Sequence, residues 1–323
     1  MSVERACTTA MMSIHVATMN IQCGQGDVYI ADGLDSMTHF RIPVIKDGMD
    51  MNGRDQARRH HALGDESQPE DGRDDQPHRA ERRPGRRCEQ SHITRSEMDQ
   101  WARRSHQRAV AATTAGRLRE EIVPVDAALA DGTAARIDYD QGPRADTTLE
   151  KVSALAPAYR PDGRITAATA SGQADGAAVC MLMSRERAQA QGIRPLAHLH
   201  TIATGACAPT DLIYSAIPAT HKALRLSGLR MQDLDLIEIN EAFACAPIAF
   251  MREFKLPDSA AGRINVNGGA CAIGHPVGAS GARLVGTLAL ELRRRDARFG
   301  LAAICGGMGQ GAATILENIQ GPE

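Results

Sequence analysis

Apolar and polar residues alternate with helical or strand spacing over most of the chain. In "ACTTAMMSIHVATMNIQ" apolar residues recur at helical spacing, at Met11, Ile14 and Ile21 among others. The stretch "GDVYIADG" that follows is a short β-rich run between glycines. The first 51 residues therefore predict a helix followed by a strand.

The same kind of pattern returns at residue 93. "TRSEMDQWARRSHQRAVAATTAGRL" begins with an N-cap threonine that is followed three residues later by glutamate, which predicts a helix. "EEIVPV" is strand-like, and "ITAATASGQADGAAVCMLMSR" predicts a glycine turn followed by a buried strand.

Four further elements are predicted towards the carboxyl end. "THKALRLSGL" is typical of a helix with a glycine near its end, and "LDLIEINEAFA" of a buried strand that runs into a loop or helix. "GASGARLVGTLALELRRR" predicts a helix whose last turn carries cations. "FGLAAICGGMGQGAATILE" predicts two β segments joined by a glycine-rich turn. Strands that alternate with helices indicate an α/β fold.

Residues 52–92 break this pattern. Leu63 is their only large aliphatic residue, and Arg, Asp, Glu, His, Gln, Gly and Pro dominate. Such a segment buries too little apolar surface to offset the entropy of ordering, so we expect it to be disordered. An arginine-rich RNA-binding arm is the alternative, and the acidic residues interleaved throughout disfavour it.

Length and composition favour an enzyme. The chain has 323 residues, 43% of them hydrophobic, with a formal net charge of -2, which suits two domains and disfavours a nucleic-acid binder. No apolar run approaches the roughly 20 residues that span a bilayer. The first residues lack a basic stretch followed by an apolar one, so we expect no secretory signal and a cytoplasmic location.

The chain has eight cysteines, and none forms a C-x-x-C pair, so a zinc site is not expected. In a reducing cytosol most of them should be buried thiols, and one or two could be nucleophiles.

Two polar groups lie where catalytic residues are often found. In "NVNGGACAIGHPVGASGARLV" His275 precedes a helix that can begin near Gly278 to Ser280, whose positive end favours the neutral, basic imidazole. A tight turn with an incidental histidine is the alternative. Asn240 and Glu241 follow a buried strand, so they are either functional or the cap of the next helix.

Two cysteines are candidate nucleophiles or proton carriers. Cys305 opens "CGGMGQG", where glycines expose the sulfur and free backbone N–H groups that can hold an oxyanion. Because this turn joins two strands, it is not a dinucleotide fingerprint. Cys7 lies at the start of a helix, whose dipole stabilises a thiolate. Either cysteine could instead be an ordinary buried residue.

Together these segments resemble the thiolases, the acetyl-CoA acyltransferases. "NEAFA", "NVNGGACAIGHPVGASGARLV" and "CGGMGQGAA" resemble the carboxyl-terminal signatures of that family, in the same order and at similar spacing. "ACTTAMMSIHVATMNIQCGQGDVYIADGLDSMT" resembles the segment that begins at the thiolase nucleophile. The likeness covers most of residues 3–51 and 93–319.

The resemblance implies a role for each of these groups. Cys7 would attack the acyl-CoA thioester and carry the acyl group, while His275 takes the thiol proton and helps to bind the thioester oxygen. Cys305 would be the acid and base of the second half-reaction. Asn240 would hold a water that forms one oxyanion hole with His275. The backbone N–H groups of Cys7 and Gly307 would form the other.

The resemblance also implies how the substrate is bound. Ser171, Ala242 and Phe243 would line the pantetheine path, and Tyr159 stands where the family often has Phe. Coenzyme A and its thioesters would be substrates, with no bound cofactor and no metal. The family forms dimers and tetramers, so we expect a homodimer or homotetramer.

The implied fold is an α/β, thiolase-like, duplicated α-β-α-β-α arrangement of five layers. Residues 1–51 would be a remnant of the N-terminal domain, completed by about 172–192. Residues 52–171 would be the loop domain, and 193–323 the C-terminal domain. Because the family places some eighty or more residues before the nucleophile, we expect an N-terminally truncated member that lacks the first strands of that half.

Some alternatives stay open. The stretch 52–92 resembles no family segment although both flanks do, which suggests a corrected reading-frame shift. The chain is either an active acyltransferase or an inactive fragment. A ketoacyl synthase is disfavoured by Cys305, and a sterol-carrier-type thiolase by Asn240. Neither the acyl-chain length nor the degradative or biosynthetic direction follows from the sequence.

Overall fold

The structure is a computed structural model that describes residues 1–39, 91–128, 131–159 and 161–319. Nearly all of the segment expected to be disordered or frame-shifted, residues 52–92, lies outside the described residues.

The described elements alternate between helix and strand as the sequence predicts. The helices are α1 (Thr9–Gln22), α2 (Arg95–Thr114), α3 (Leu149–Ser153), α4 (Arg185–Ala190), α5 (Ala216–Ser227), α6 (Cys245–Glu253), α7 (Ala270–Ile273) and α8 (Ser280–Arg295). The strands are β1 (Val28–Asp35), β2 (Val125–Ala128), β3 (Ala134–Ile137), β4 (Gly176–Met183), β5 (His198–Ala206), β6 (Leu236–Ile239), β7 (Phe299–Gly306) and β8 (Gln310–Glu317).

The strands form three sheets within the described residues. β1 pairs antiparallel with β4, and β2 with β3. The third sheet has the order β5-β8-β7-β6, in which β6 and β7 are parallel and the other pairs antiparallel. β7 and β6 are buried along their whole length, so this sheet is covered on both faces.

Two helices lie between the sheets. α1 and α8 pack against each other and against β1 and β4 on one side. On the other side α8 packs against β6 and β7, and α1 packs against β8. Met11, Ile14, Leu284 and Leu288 are fully buried in this layer. α5 and α6 belong to a second apolar cluster with the four-stranded sheet. The described residues thus show four layers in the order β-α-β-α, four of the five that the resemblance implies.

Several predicted elements are confirmed. Thr94 caps α2 in a reciprocal capping box with Glu97, and Gly228 ends α5 in the left-handed conformation. α8 begins at Ser280 and ends with three arginines. β7 and β8 are joined by a short 3-10 turn, Gly307–Gly309.

Two predicted strands need correction. "EEIVPV" is mostly a 3-10 turn and coil, and β2 begins only at its last residue, Val125. β4 is partly buried on one face only, and is not the buried strand that the sequence predicts. One face covers the helix layer, whereas Val179 and Met181 on the other face are more than 60% exposed. Ile30 and Leu34 of β1 are exposed beside them.

The packing of α1 on α8 gives a test of this layer. A Cβ at Gly281 would lie 2.4 Å from the backbone nitrogen of Met11, whereas a Cβ at Gly286 on the same helix meets nothing within 4 Å. We expect Gly281→Ala to lower the free energy of unfolding by about 1–3 kcal/mol, because the helices must separate. Gly286→Ala should raise it by about 0.5–1 kcal/mol. Urea unfolding measures both, and equal effects would contradict this packing.

Candidate active site

Cys7 lies in a 3-10 turn, Ala6–Thr8, that leads directly into α1. The turn packs on β7 and on α8. The backbone N–H groups of Gly307 and of Cys7 itself interact with the Cys7 sulfur and lower its pKa. Loss of solvent is the larger effect, and it raises the pKa of Cys7 to about 11. The sequence suggested a thiolate stabilised by the helix dipole, but Cys7 is a protonated thiol at neutral pH.

Cys305 is the second thiol of the site. It lies near the end of β7, one residue before Gly306, and is 2% exposed. Burial raises its pKa well above the usual range, and the nearby sulfurs of Cys7 and Cys207 raise it further. The structure therefore brings together Cys7, Cys305 and the backbone of Gly307, as the resemblance implies.

His275 lies in the loop between α7 and α8 and is 3% exposed. Its backbone N–H donates to the carbonyl of Gly172 at 2.9 Å. Gly274 before it has φ of +92°, and a Cβ there would lie 2.7 Å from the Cβ of Ala174, so glycine is required at this approach. Burial, the larger effect, and the charge of Arg283 together lower the pKa of His275 to about 4. The imidazole is thus neutral and basic at pH 7.

Asn240 follows β6 directly and is fully buried. Its Nδ2 lies 3.3 Å from Nε2 of His275, so the structure places together two groups that are 35 residues apart in sequence. Its Oδ1 is buried and has no hydrogen-bond partner among the described residues. A buried amide oxygen of this kind is suited to bind an ordered water.

Arg283 provides positive charge near the imidazole. It lies on α8, and its Nη1 is 3.6 Å from Oε2 of the buried Glu238 on β6. Burial raises the pKa of Glu238 to about 8, while Arg283 lowers it. Arg283 also lowers the pKa of His275, because a second positive charge close to the guanidinium is unfavourable.

Glu241, next to Asn240, joins the site to α2. Its carboxyl oxygens accept hydrogen bonds from four donors, all in buried residues: Trp101 Nε1 at 2.8 Å, Ser105 Oγ at 2.7 Å, Asn265 Nδ2 at 2.8 Å and the Cys271 backbone N–H at 3.1 Å. α6 begins only at Cys245 and has no side-chain cap. The alternative interpretation, in which the Asn-Glu pair caps the next helix, is therefore wrong.

The residues expected along the pantetheine path also lie together. The backbone N–H of Ser171 donates to the carbonyl of Ala242 at 3.1 Å. The rings of Tyr159 and Phe243 meet edge to face with centroids 6.2 Å apart. Their role in binding coenzyme A stays a prediction.

Sequence reasoning missed two groups that hold the site. Gln310 accepts from Arg5 Nε at 2.9 Å and donates to the carbonyl of Gly307 at 3.2 Å, which ties the Cys7 turn to the Cys305 loop. Ser280 Oγ lies 2.6 Å from Nδ1 of His275. Gln310 gave no signal in sequence, whereas Ser280 stands at the predicted start of α8, five residues after the histidine.

In the described part of the chain no group of three or more His, Cys, Asp or Glu side chains is arranged to hold a metal ion. No helix there is long and apolar enough to cross a membrane.

Comparison with known proteins identifies the family. The model of the thiolase N-terminal domain matches residues 1–186, and that of the thiolase C-terminal domain matches residues 193–318. The chain therefore belongs to the thiolase family.

Individual relatives agree with this assignment. The 3-ketoacyl-CoA thiolase of Serratia proteamaculans (strain 568) is 37% identical over 322 residues, which are 98% of this chain and 78% of that protein. The 3-ketoacyl-CoA thiolase of Acinetobacter baumannii (strain ATCC 17978) is 38% identical, over 98% of this chain and 77% of that protein. The expected N-terminal truncation stays a prediction.

Solved structures show the same fold. The crystal structure of human mitochondrial 3-ketoacyl-CoA thiolase superposes with a TM-score of 0.84 at 30% identity, over 98% of this chain and 78% of that one. A crystal structure of the same human protein in complex with CoA gives the same TM-score and identity. The expected thiolase-like fold is thus confirmed.

The Glu241 cluster gives a test of how the site is held. Each carboxyl oxygen of Glu241 accepts from two donors, so in Glu241→Gln the NH₂ group that replaces one oxygen faces two donors. We therefore expect a loss of about 1–3 kcal/mol in the free energy of unfolding. Denaturant unfolding can be followed by the fluorescence of Trp101, the only tryptophan. Glu253→Gln, at an exposed carboxylate paired with His221, is the control and should change little. An unchanged midpoint for Glu241→Gln would contradict the role of this carboxyl group.

Proposed function

We propose that this chain is an acyl-CoA:acetyl-CoA C-acyltransferase that cleaves or forms 3-ketoacyl-CoA through an acyl-cysteine intermediate. The observation that carries the proposal is the set of buried Cys305, His275 and Asn240 together with the half-buried Cys7, in a member of the thiolase family. The relatives named 3-ketoacyl-CoA thiolase and the neighbour solved with CoA support the substrate class.

The first half-reaction needs a general base. Because the pKa of Cys7 is about 11 and that of His275 about 4, neither group is charged in the resting site. As the Cys7 sulfur attacks the carbonyl carbon, its proton passes to Nε2 of His275. The neutral thiol and imidazole are therefore the starting state, and charge forms only with the bound substrate.

The negative oxygen that forms in this attack needs hydrogen-bond donors. The N–H groups of Gly307 and Cys7 already converge on the sulfur, next to the position of an oxygen on the attacked carbon. The protonated Nε2 of His275 and a water bound to the free Oδ1 of Asn240 can together donate hydrogen bonds to the other oxygen, that of the thioester joined to coenzyme A. These donors stabilise charge that is absent in the ground state.

Cys305 completes the reaction. In thiolysis the bond between C2 and C3 of the 3-ketoacyl group breaks, and the Cys305 thiol gives its proton to C2, which releases acetyl-CoA. The thiol of coenzyme A then gives its proton to the Cys305 thiolate and attacks the acyl group on Cys7. The shortened acyl-CoA leaves, and the released Cys7 sulfur takes its proton back from His275. In condensation Cys305 takes the proton from the methyl group of acetyl-CoA instead. Its raised pKa keeps Cys305 protonated at neutral pH, which is the form that the acid role starts from.

The name 3-ketoacyl-CoA thiolase, which the relatives carry, supports the degradative direction, and we propose a role in fatty-acid β-oxidation. We further propose a cytoplasmic homo-oligomer that uses coenzyme A thioesters as substrates, with no bound cofactor.

Acetyl transfer from acetyl-CoA to Cys7 tests this function. We expect intact mass spectrometry to show one added acetyl group after mixing, and peptide mapping to place it on Cys7. Cys7→Ala should show none. Cys305→Ala should still be acetylated at Cys7 but should not cleave acetoacetyl-CoA, because it lacks the acid for C2. Folding of each variant is checked by circular dichroism.

The outcomes separate the two hypotheses drawn from the sequence. A folded wild-type protein that takes no acetyl group would be an inactive fragment. Acetylation of Cys305 in place of Cys7 would reverse the assigned roles of the two thiols.

A further inference from the structure

Ser280 is the one polar side chain that reaches the far nitrogen of His275 in the described structure. Its Oγ is 2.6 Å from Nδ1 of the imidazole and 2.9 Å from the carbonyl oxygen of Pro276. Ser280 is 2% exposed, so water does not compete freely for these bonds. The hydroxyl thus lies between the catalytic ring and a fixed backbone acceptor.

The two contacts of this hydroxyl together specify a proton position. A carbonyl oxygen can only accept, so the bond to Pro276 uses the single proton of the hydroxyl. With its proton on the Pro276 carbonyl, the Ser280 oxygen has only lone pairs to offer Nδ1, and the 2.6 Å contact is then a hydrogen bond only if Nδ1 carries a proton. Nε2 is left with its lone pair, which is the form that a general base for Cys7 requires.

We propose that Ser280 is a positioning residue that holds His275 in the Nδ1–H tautomer and so keeps Nε2 available as the base. The proposal rests on the function proposed above. Because the tautomer is a property of the free protein, it is measured without any substrate.

The contacts on the other side of the ring agree with this tautomer. Nδ2 of Asn240 lies 3.3 Å from Nε2, an approach that is favourable only when Nε2 carries no proton, and this long contact gives way when Nε2 takes the Cys7 proton. With the opposite tautomer the Asn240 amide would have to rotate, so that Oδ1 accepts from Nε2. Oδ1 would then no longer be the free acceptor that the proposed water needs.

Ser280 also has a role after proton transfer. Once Nε2 has taken the Cys7 proton, the imidazolium still donates from Nδ1 to the Ser280 oxygen. This bond stabilises the charged ring, which burial and Arg283 otherwise disfavour. A hydrogen bond at the remote nitrogen thus serves both the resting base and the charged intermediate.

The direct test is nitrogen NMR of the histidine ring. In protein with ¹⁵N-labelled histidine, His275→Gln identifies the His275 signals. We expect the wild type to show protonated Nδ1 and unprotonated Nε2 at pH 7. In Ser280→Ala we expect the signals to move towards the opposite tautomer, because Nδ1 has lost its acceptor. Ser280→Thr, which keeps the hydroxyl, should restore the wild-type pattern.

Kinetics provide the second readout. We expect Ser280→Ala to slow acetylation of Cys7 about tenfold at saturating acetyl-CoA, the effect of losing one hydrogen bond to the reacting ring. Ser280→Thr should restore most of the rate. Thr287→Ala is the matched control: this hydroxyl is also buried on α8, but it donates to Glu121. It should change neither the ring signals nor the rate, whatever its effect on stability.

Distinct results overturn distinct claims. Protonated Nε2 in the wild type, or ring signals in Ser280→Ala that match the wild type, would overturn the role of Ser280. An Nδ1–H wild type that takes no acetyl group would leave the tautomer intact and overturn the proposed function instead.

Discussion

Exclusion of water from the site decides its protonation, and the chemistry depends on that protonation. Burial raises the pKa of Cys7 and Cys305 and lowers that of His275, so all three groups are neutral at pH 7. In the proposed mechanism the neutral thiol and the neutral imidazole exchange a proton only as the substrate develops charge. The N–H groups near Cys7 and the amide of Asn240 are proposed to act on that charge, since little competing solvent is present.

The small residues around His275 keep the site closed. The sequence suggested that they leave room for coenzyme A, and the structure gives a further reason. Added Cβ atoms at Gly269, Gly278 and Gly281 would lie 2.3–2.4 Å from Glu241, Leu34 and Met11 respectively. Gly278 and Gly281 let α8 and the loop before it approach the backbones of β1 and α1, and Gly269 lets the start of α7 approach the Glu241 carboxyl group. Such tight packing excludes water and fixes the loop that carries the imidazole.

The sequence predicts the elements that carry the chemistry but only part of what holds them. Cys7, Asn240, His275 and Cys305 stand at ends of periodic segments, where the change of pattern is visible in the sequence. The partners Glu241 and Gln310 act through contacts between distant segments, such as Glu241 with Trp101, 140 residues away, whereas Ser280 acts on a histidine five residues before it. The same holds for the pKa of Cys7: the helix start that favours a thiolate is visible in the sequence, whereas the burial that raises the pKa depends on the whole fold.

The most direct test of this account is the pH titration of the Cys7 thiol. Thiolate absorbance in the ultraviolet is measured for the wild type and for Cys7→Ser, and the difference isolates Cys7. The account predicts no thiolate difference at pH 7 and its appearance only as the pH approaches about 11. A Cys7 thiolate already present at pH 7 would mean a preformed ion pair with His275 and would contradict a neutral resting site.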